Sequence, residues 1–275
     1  MQHTDDRARR TTTWRAAAAA LVIGLGMAQM PSAQADEANA RNLFKAMSDY
    51  LASQKAISFD YDSTLEFVSP ENQKIGLASS GKVTLNRPDK IHATRTGGFA
   101  NVEFVFDGKT ATLVGKNKNM YAQVGAPGTI DQLVDVLRDK YGRPIPGADL
   151  LMSNVYDQLM PQVKDTKDLG SGVIGGVECD HLAFRTDEVD WQIWIAQGAR
   201  PYPCRYVITS SKTAGSPEYT IDISGWKSGA DVAFDAFKAQ IPAGAKKVSP
   251  GDLPDFDELP SIFSKNRNNE QASSR

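Results

Sequence analysis

Cysteine, aspartate and histidine fall together at Cys179-Asp180-His181, a grouping that a nucleophilic or metal-dependent site could use. No H-x-x-x-H or C-x-x-C spacing accompanies it, and the chain has no G-x-S-x-G elbow. The other histidine of the chain body is His92. Both histidines are read as strand residues on a polar face. Acidic residues are so numerous that a carboxylate pair can be assembled almost anywhere, so their presence decides nothing. Gly170-Ser171-Gly172-Val173-Ile174-Gly175 spells G-x-G-x-x-G. Dinucleotide binding requires a helix after that run, whereas 177–182 reads as a strand, so a glycine-rich β-turn is expected. Gly108-Lys109-Thr110 resembles the end of a phosphate-binding loop, but the glycine required five residues earlier is Glu103. A hairpin turn is expected there. No catalytic residue, metal ligand or cofactor is assigned, and the chain is not read as an enzyme.

The N-terminus carries a different signal. Arg7, Arg9, Arg10 and Arg15 precede a small and apolar run over 16–28, and Ala33-Gln34-Ala35 follows it. A basic region, a short apolar region and an Ala-x-Ala site describe an export signal cleaved after Ala35. The run is shorter than the ~20 residues a transmembrane helix needs. No cysteine lies near the cleavage site, so the mature protein is expected in the periplasm without a lipid anchor. Arg9-Arg10 hints at the twin-arginine route. The chain has 275 residues, 41% apolar and 23% charged, with a formal net charge of −2. That composition excludes collagen, wholesale disorder and a disulfide-dense mini-protein, and gives no basic surface for nucleic acid.

The elements that must position these residues are mostly strands. Leu43, Phe44, Met47, Tyr50 and Leu51 recur at helical spacing over 36–53. The period then changes to two, with Ile57, Phe59, Tyr61, Leu65 and Phe67 alternating against polar residues. Strands are expected at 76–85, 90–96, 101–106, 110–114 and 120–124, with Asp107-Gly108 as a tight turn. Thr129 caps a helix running to Tyr141, a Gly-Pro-Pro loop follows over 142–147, and a second helix covers 149–160. Five more strands follow at 165–171, 177–185, 191–195, 202–211 and 218–226. One domain over 36–250 with a helical insertion at 129–161 is expected, then a flexible tail at 251–275.

Two cysteines in an exported chain suggest one bridge, Cys179–Cys204, worth roughly 3.5 kcal/mol in the chain-entropy model. The strand at 191–195 would lie between them, and strands two apart stand about 9.5 Å apart. A bridge tolerates Cα atoms only up to about 7 Å. Either the middle strand stops short, or 200–203 folds over the sheet end. Two free buried thiols are the alternative.

Gly81-Lys82-Val83-Thr84-Leu85-Asn86-Arg87-Pro88-Asp89-Lys90-Ile91 and Phe106-Asp107-Gly108-Lys109-Thr110 together resemble the superfamily of periplasmic lipoprotein carriers LolA and LolB and the regulator RseB. Ile241-Pro242-Ala243-Gly244-Ala245-Lys246-Lys247-Val248 resembles its closing segment. The runs at 175–182 and 191–195 look closest to the periplasmic branch called domain of unknown function 2092. The resemblance implies an α+β, mainly β fold: an incomplete antiparallel barrel of about eleven strands with a helical lid or plug. It also implies that Arg87 ties the barrel to the lid and that the concave face holds acyl chains.

The residues and the resemblance lead to a binding fold. Phe59, Tyr61, Leu65, Phe67, Val83, Leu85, Ile91, Phe104, Phe106, Ile193 and Tyr206 are expected to face inward and to contact ligand. Val102, Ile195, Ile208, Ile221 and Ile223 belong to the same inward set. Such a row lines a cavity or builds a core filled by the helices, and both need the same residues. The expected partner is a hydrophobic small molecule or an acylated protein. The alternative is an envelope protein bound on the same barrel. No nucleic acid is expected, and the protein is expected to be a monomer.

Overall fold

In the computed structural model, residues 37–98, 101–139, 147–233 and 237–249 are described. The expectations for 1–35, for 142–146 and for the tail from 251 lie outside these residues. Helix α1 (Glu37–Ser53) precedes six strands: β1 (Ala56–Val68), β2 (Lys74–Asn86), β3 (Lys90–Gly97), β4 (Asn101–Phe106), β5 (Thr110–Gly115) and β6 (Met120–Gly125). The insertion holds α2 (Ile130–Asp139), a 3₁₀ turn (Ala148–Leu151) and α3 (Val155–Leu159). Strands resume as β7 (Asp165–Ile174), β8 (Val177–Arg185), β9 (Asp190–Ala196), β10 (Pro203–Thr209) and β11 (Glu218–Ser228), and β12 (Lys246–Lys247) closes the series.

All twelve strands form one sheet in the order β12-β6-β5-β4-β3-β2-β1-β11-β10-β9-β8-β7. Every pairing is antiparallel except β12, which runs parallel to β6. The extra strand over the expected eleven comes from 241–248, where Lys246 N–H donates to Asn119 O and Val248 N–H to Tyr121 O. The two ends of the sheet are not paired with each other, so the barrel is incomplete.

Alternation fixes which face is dry. Ile57 pairs with Leu85, Phe59 with Val83, and on the next strands Ile91 with Phe106 and Phe106 with Ala111. These side chains join one buried cluster with Phe44, Met47 and Leu51 of α1, Ile130 and Leu133 of α2, and Val155 of α3. Phe44 sits at its centre, with ring centroids 5.9 Å from Tyr156, 5.4 Å from Phe184 and 5.2 Å from Trp191.

The start of α2 is a reciprocal capping box. Gln132 N–H donates to Thr129 Oγ1 at 3.2 Å, and Thr129 N–H donates to Gln132 Oε1 at 2.9 Å. The single helix expected over 149–160 is instead broken at Met152, whose backbone is extended at φ −70°, ψ 160°. A continuous helix would bond Tyr156 N–H to the Met152 carbonyl. Both groups have tertiary partners here: Arg87 Nη2 donates to Met152 O at 3.1 Å, and Tyr156 N–H donates to Ser48 Oγ at 3.0 Å.

The opposite face carries its own buried group. Glu103 is 2% exposed, with His92 Nε2 at 3.2 Å and Lys116 Nζ at 3.0 Å. Its Oε1 also accepts from Gln240 N–H at 3.2 Å, which pins the C-terminal segment to this face.

Candidate ligand-binding face

The inward residues divide into two zones. Phe59, Val83, Leu85, Ile91, Phe106, Ile193 and Tyr206 are buried in the central cluster beneath the helices. Tyr61 and Phe104 are half-buried at its border. Leu65 and Phe67 lie farther along β1, also half-buried. Register extends this second zone sideways: Leu65 pairs with Leu77 and with Tyr219, Phe67 with Ile75, and Phe104 with Leu113. The outcome is an apolar lane that the helices fill at one end and leave half-open at the other. Leu77, Ile75, Leu113 and Tyr219 were not singled out from the sequence; each is found by following the alternation onto the neighbouring strand.

A strip of polar and small residues crosses the lane. Tyr61 pairs with Gly81, and Gly81 with Arg95. A Cβ on Gly81 would stand 2.6 Å from the Tyr61 ring, so glycine lets that ring lie across the sheet. The Tyr61 hydroxyl donates to Thr94 O at 3.1 Å, which fixes the ring. Ser63 and Ser79, the next pair, are buried and share a hydrogen bond at 2.9 Å.

Arg87 stands where the sheet meets the insertion. Its N–H donates to Lys55 O at 2.7 Å, and the carbonyl of Pro88 accepts from Ile130 N–H at 2.8 Å. Asp131 accepts from Ser153 N–H at 2.9 Å and from the Ser153 hydroxyl. Burial pulls the Arg87 pKa below its ordinary value, and the nearby Asp131 carboxylate opposes that shift.

The expected Cys179–Cys204 bridge is corrected: both cysteines are free and buried. β9 does not stop short, because Cys179 pairs directly with Ala196 on it. Cys204 falls at an irregularity in the β10 register, two strands away from Cys179. The two sulfurs share a small cluster over Ala196, beside Trp194 and Tyr202. Burial raises the pKa of both thiols.

The other chemistry-bearing residues have structural partners. His181 stacks on Trp194 at 3.9 Å, and its Nε2 is 2.9 Å from Gln192 Oε1. Burial lowers its pKa, against the hydrogen bond that the imidazole donates to Gln192 Oε1. In the Asp-Gly-Lys-Thr turn, Asp107 Oδ1 accepts from Lys109 N–H at 2.9 Å and Thr110 N–H at 2.8 Å, so a carboxylate of the chain itself takes the amides that would cradle a phosphate. Those bonds hold the Asp107 pKa below its ordinary value. The G-x-G-x-x-G run lies in β7 and its hairpin, with Gly175 at φ 56° and Gly176 at φ 84°. Positive φ at both central positions is the geometry of a two-residue hairpin turn. Among the described residues, no group of His, Cys, Asp and Glu is placed to hold a metal ion. No helix among them is long and apolar enough to cross a membrane.

A family model described as "Predicted periplasmic protein (DUF2092)" matches residues 40–249. No curated protein matches the chain. Among solved structures, the chain is similar to the lipoprotein LppX of Mycobacterium tuberculosis at 16% identity, covering 69% of this chain and 96% of that one, with a TM-score of 0.46. It is similar to LprF of Mycobacterium bovis at 17% identity, covering 77% and 99%, with a TM-score of 0.45. It is also similar to the Pseudomonas aeruginosa MucA/MucB complex at 14% identity, covering 74% and 61%, with a TM-score of 0.43.

Proposed function

The chain belongs to the periplasmic protein family DUF2092, and we propose that it is an exported, non-enzymatic protein that binds a hydrophobic ligand on the concave face of its open barrel. The observation that carries this reading is the half-buried lane of Tyr61, Leu65, Phe67, Leu77 and Phe104 beyond the helical plug. Apolar side chains held half-exposed on a concave face gain when an alkyl chain covers them, by about 25 cal/mol per Å² of surface removed from water. The ligand is an acyl chain, free or carried by a lipid or an acylated protein. Location in the periplasm is supported by the description of the family and by the Arg-rich, Ala-x-Ala start of the chain.

The test is mass spectrometry of lipids extracted from purified protein, followed by titration of the delipidated protein with a fluorescent fatty acid. Co-purifying acyl species and saturable binding are expected. An empty extract together with non-saturable binding overturns the reading.

Binding of an envelope protein is the second reading. It is favoured by the filling of the barrel under α1, and by Leu169 and Val173 on edge strand β7, which are 45% and 65% exposed. It predicts co-purification of a protein in place of lipid.

A further inference from the structure

We propose that the corner of the sheet formed by the β5–β6 turn and β12 docks on an anionic lipid membrane. This goes beyond the ligand reading, because it stands on surface charge and not on the lane.

Two stretches far apart in sequence build the corner. The 3₁₀ turn Lys116–Lys118 joins β5 to β6, and 237–249 returns to the same edge. Lys246 pairs with Met120 and Lys247 with Tyr121. Asn119 Nδ2 donates to Gly244 O at 3.2 Å, and Lys246 N–H donates to Asn119 O at 2.9 Å. Residues 116–121 and 237–249 together hold Lys116, Lys118, Lys238, Lys246 and Lys247 but no aspartate or glutamate, in a chain whose formal net charge is −2. All these lysines are exposed. Lys116 pairs with the buried Glu103. Among the described residues, no carboxylate forms an ion pair with Lys118, Lys238, Lys246 or Lys247. On other elements Lys45, Lys74, Lys164 and Lys167 each have an acidic partner. Backbone hydrogen bonds therefore hold like charges side by side, and an anionic partner relieves their repulsion.

The chemistry favours a lipid surface over an acidic protein. The charges are all lysine, a compact point charge on a flexible stem, whereas fixed bidentate recognition of carboxylates uses arginine. Lysine is also depleted at protein interfaces. A fluid layer of headgroups needs no fixed geometry. The corner adds an apolar anchor: Ile241 is 40% exposed and follows Gln240, whose N–H is held by Glu103. Basic residues around an exposed apolar side chain are the pattern of interfacial binding. The location fits as well. Met120 lies opposite Gly115, and that row runs through Val102 and Gly81 to Tyr61. The Lys116–Lys118 turn lies beyond this row, at the same end of the sheet as Leu65 and Phe67. A membrane docked at this corner therefore stands beside the half-open end of the lane.

The experiment sediments the exported protein, from Asp36 to its C-terminus, with phosphatidylcholine vesicles that contain or lack phosphatidylglycerol at about one lipid in three. Each lysine near an anionic surface is worth about fivefold in partitioning. The natural protein is expected to bind the anionic vesicles at least tenfold better than the neutral ones, and to lose that preference between about 0.05 M and 0.5 M salt. Lys118→Glu with Lys246→Glu should lower anionic binding at least tenfold, with the thermal midpoint unchanged. Ile241→Ser should lower it about fivefold. Lys55→Glu with Lys227→Glu makes the same change of net charge at the opposite end of the sheet and should stay within threefold. Equal partitioning of the natural protein to both vesicles overturns the proposal, and this arm needs no variant to fold. If it instead binds soluble polyglutamate, the corner belongs to an acidic protein. Equal losses in the two double variants overturn the proposal too, by making the effect one of net charge. Binding that appears only when Asp252, Asp255, Asp257 and Glu258 are neutralised assigns the corner to the chain's own acidic stretch, and also overturns it. None of these outcomes touches the lane, so the hydrophobic binder stands or falls by its own titration.

Discussion

Arg87 donates through Nη2 to the carbonyl of Met152 at 3.1 Å, and this bond joins the turn after β2 to the broken helix of the insertion. A hydrogen bond from a charged donor contributes about 1.5–3 kcal/mol when desolvated, less where water reaches it. Arg87→Leu should therefore destabilise the protein by about 1–2 kcal/mol in urea denaturation. Amide exchange should rise over 148–156 before it rises in the strands, and ligand exchange should quicken without global unfolding. Unchanged exchange at Met152 and its neighbours would separate Arg87 from the insertion.

Phe44 gives the plug its hold on the sheet, touching Tyr156, Phe184 and Trp191 at once. Truncating a fully buried phenylalanine costs about 3–5 kcal/mol, since transfer energy and cavity add. Phe44→Ala should lose that much in a denaturant midpoint analysis. It should also change Trp191 fluorescence. A loss below about 1 kcal/mol would mean that α1 packs far more loosely than its buried face implies.

The strands were readable because period two is local: Ile57, Phe59 and Tyr61 declare their face within a few residues. The capping box at Thr129 and Gln132 and the turn at Asp107-Gly108 were equally local. The break at Met152 was not, since Arg87 and Ser48, far away in sequence, take the two groups a helix would have paired. Nor was the state of the cysteines, which depends on β9 running level with Cys179. For the candidate face, sequence gave inward orientation but not cover. Phe59 and Phe67 look alike in the alternation, and only the placement of the helices buries one and half-opens the other.

Cys179 and Cys204 are buried thiols whose pKa values are raised by that burial. Thiolate is the reactive form, so protection is twofold. Intact masses of native protein with and without reductant should be equal. An aromatic disulfide reagent at pH 8 should label neither thiol in the fold within minutes, and both once urea is added. A two-dalton difference between the masses would restore the bridge.

His181 offers a pH signature. Its folded pKa lies below the ordinary histidine value, mainly through burial against Trp194, so the unfolded chain takes up the proton first. The contribution is complete above the unfolded value of about 6.5 and is lost as pH falls through the lower folded value. His181→Phe keeps a ring on Trp194 and removes the titration. The stability of the natural protein minus that of the variant should therefore shrink from pH 7 to pH 5. A difference that stays constant would mean that His181 titrates alike in both states.

Chain length is the most direct probe of the lane. Each methylene buried contributes about 0.8 kcal/mol, close to fourfold in affinity. Affinity for fatty acids should rise by that step from eight carbons upward, then level off where the half-open zone between Tyr61 and Phe67 is covered. A carboxylate placed in the lane removes apolar contact and repels an anionic ligand, so Leu65→Asp or Phe67→Asp should weaken binding at least tenfold. Both positions are half-buried at one end of β1, away from the central cluster, so the fold should survive the change. Val173→Asp is the matched control: it adds the same charge to an exposed site on β7 and should leave affinity within twofold. Chain-length dependence that survives Leu65→Asp and Phe67→Asp, or that fails in Val173→Asp, would move the ligand off this face and onto the β7 edge.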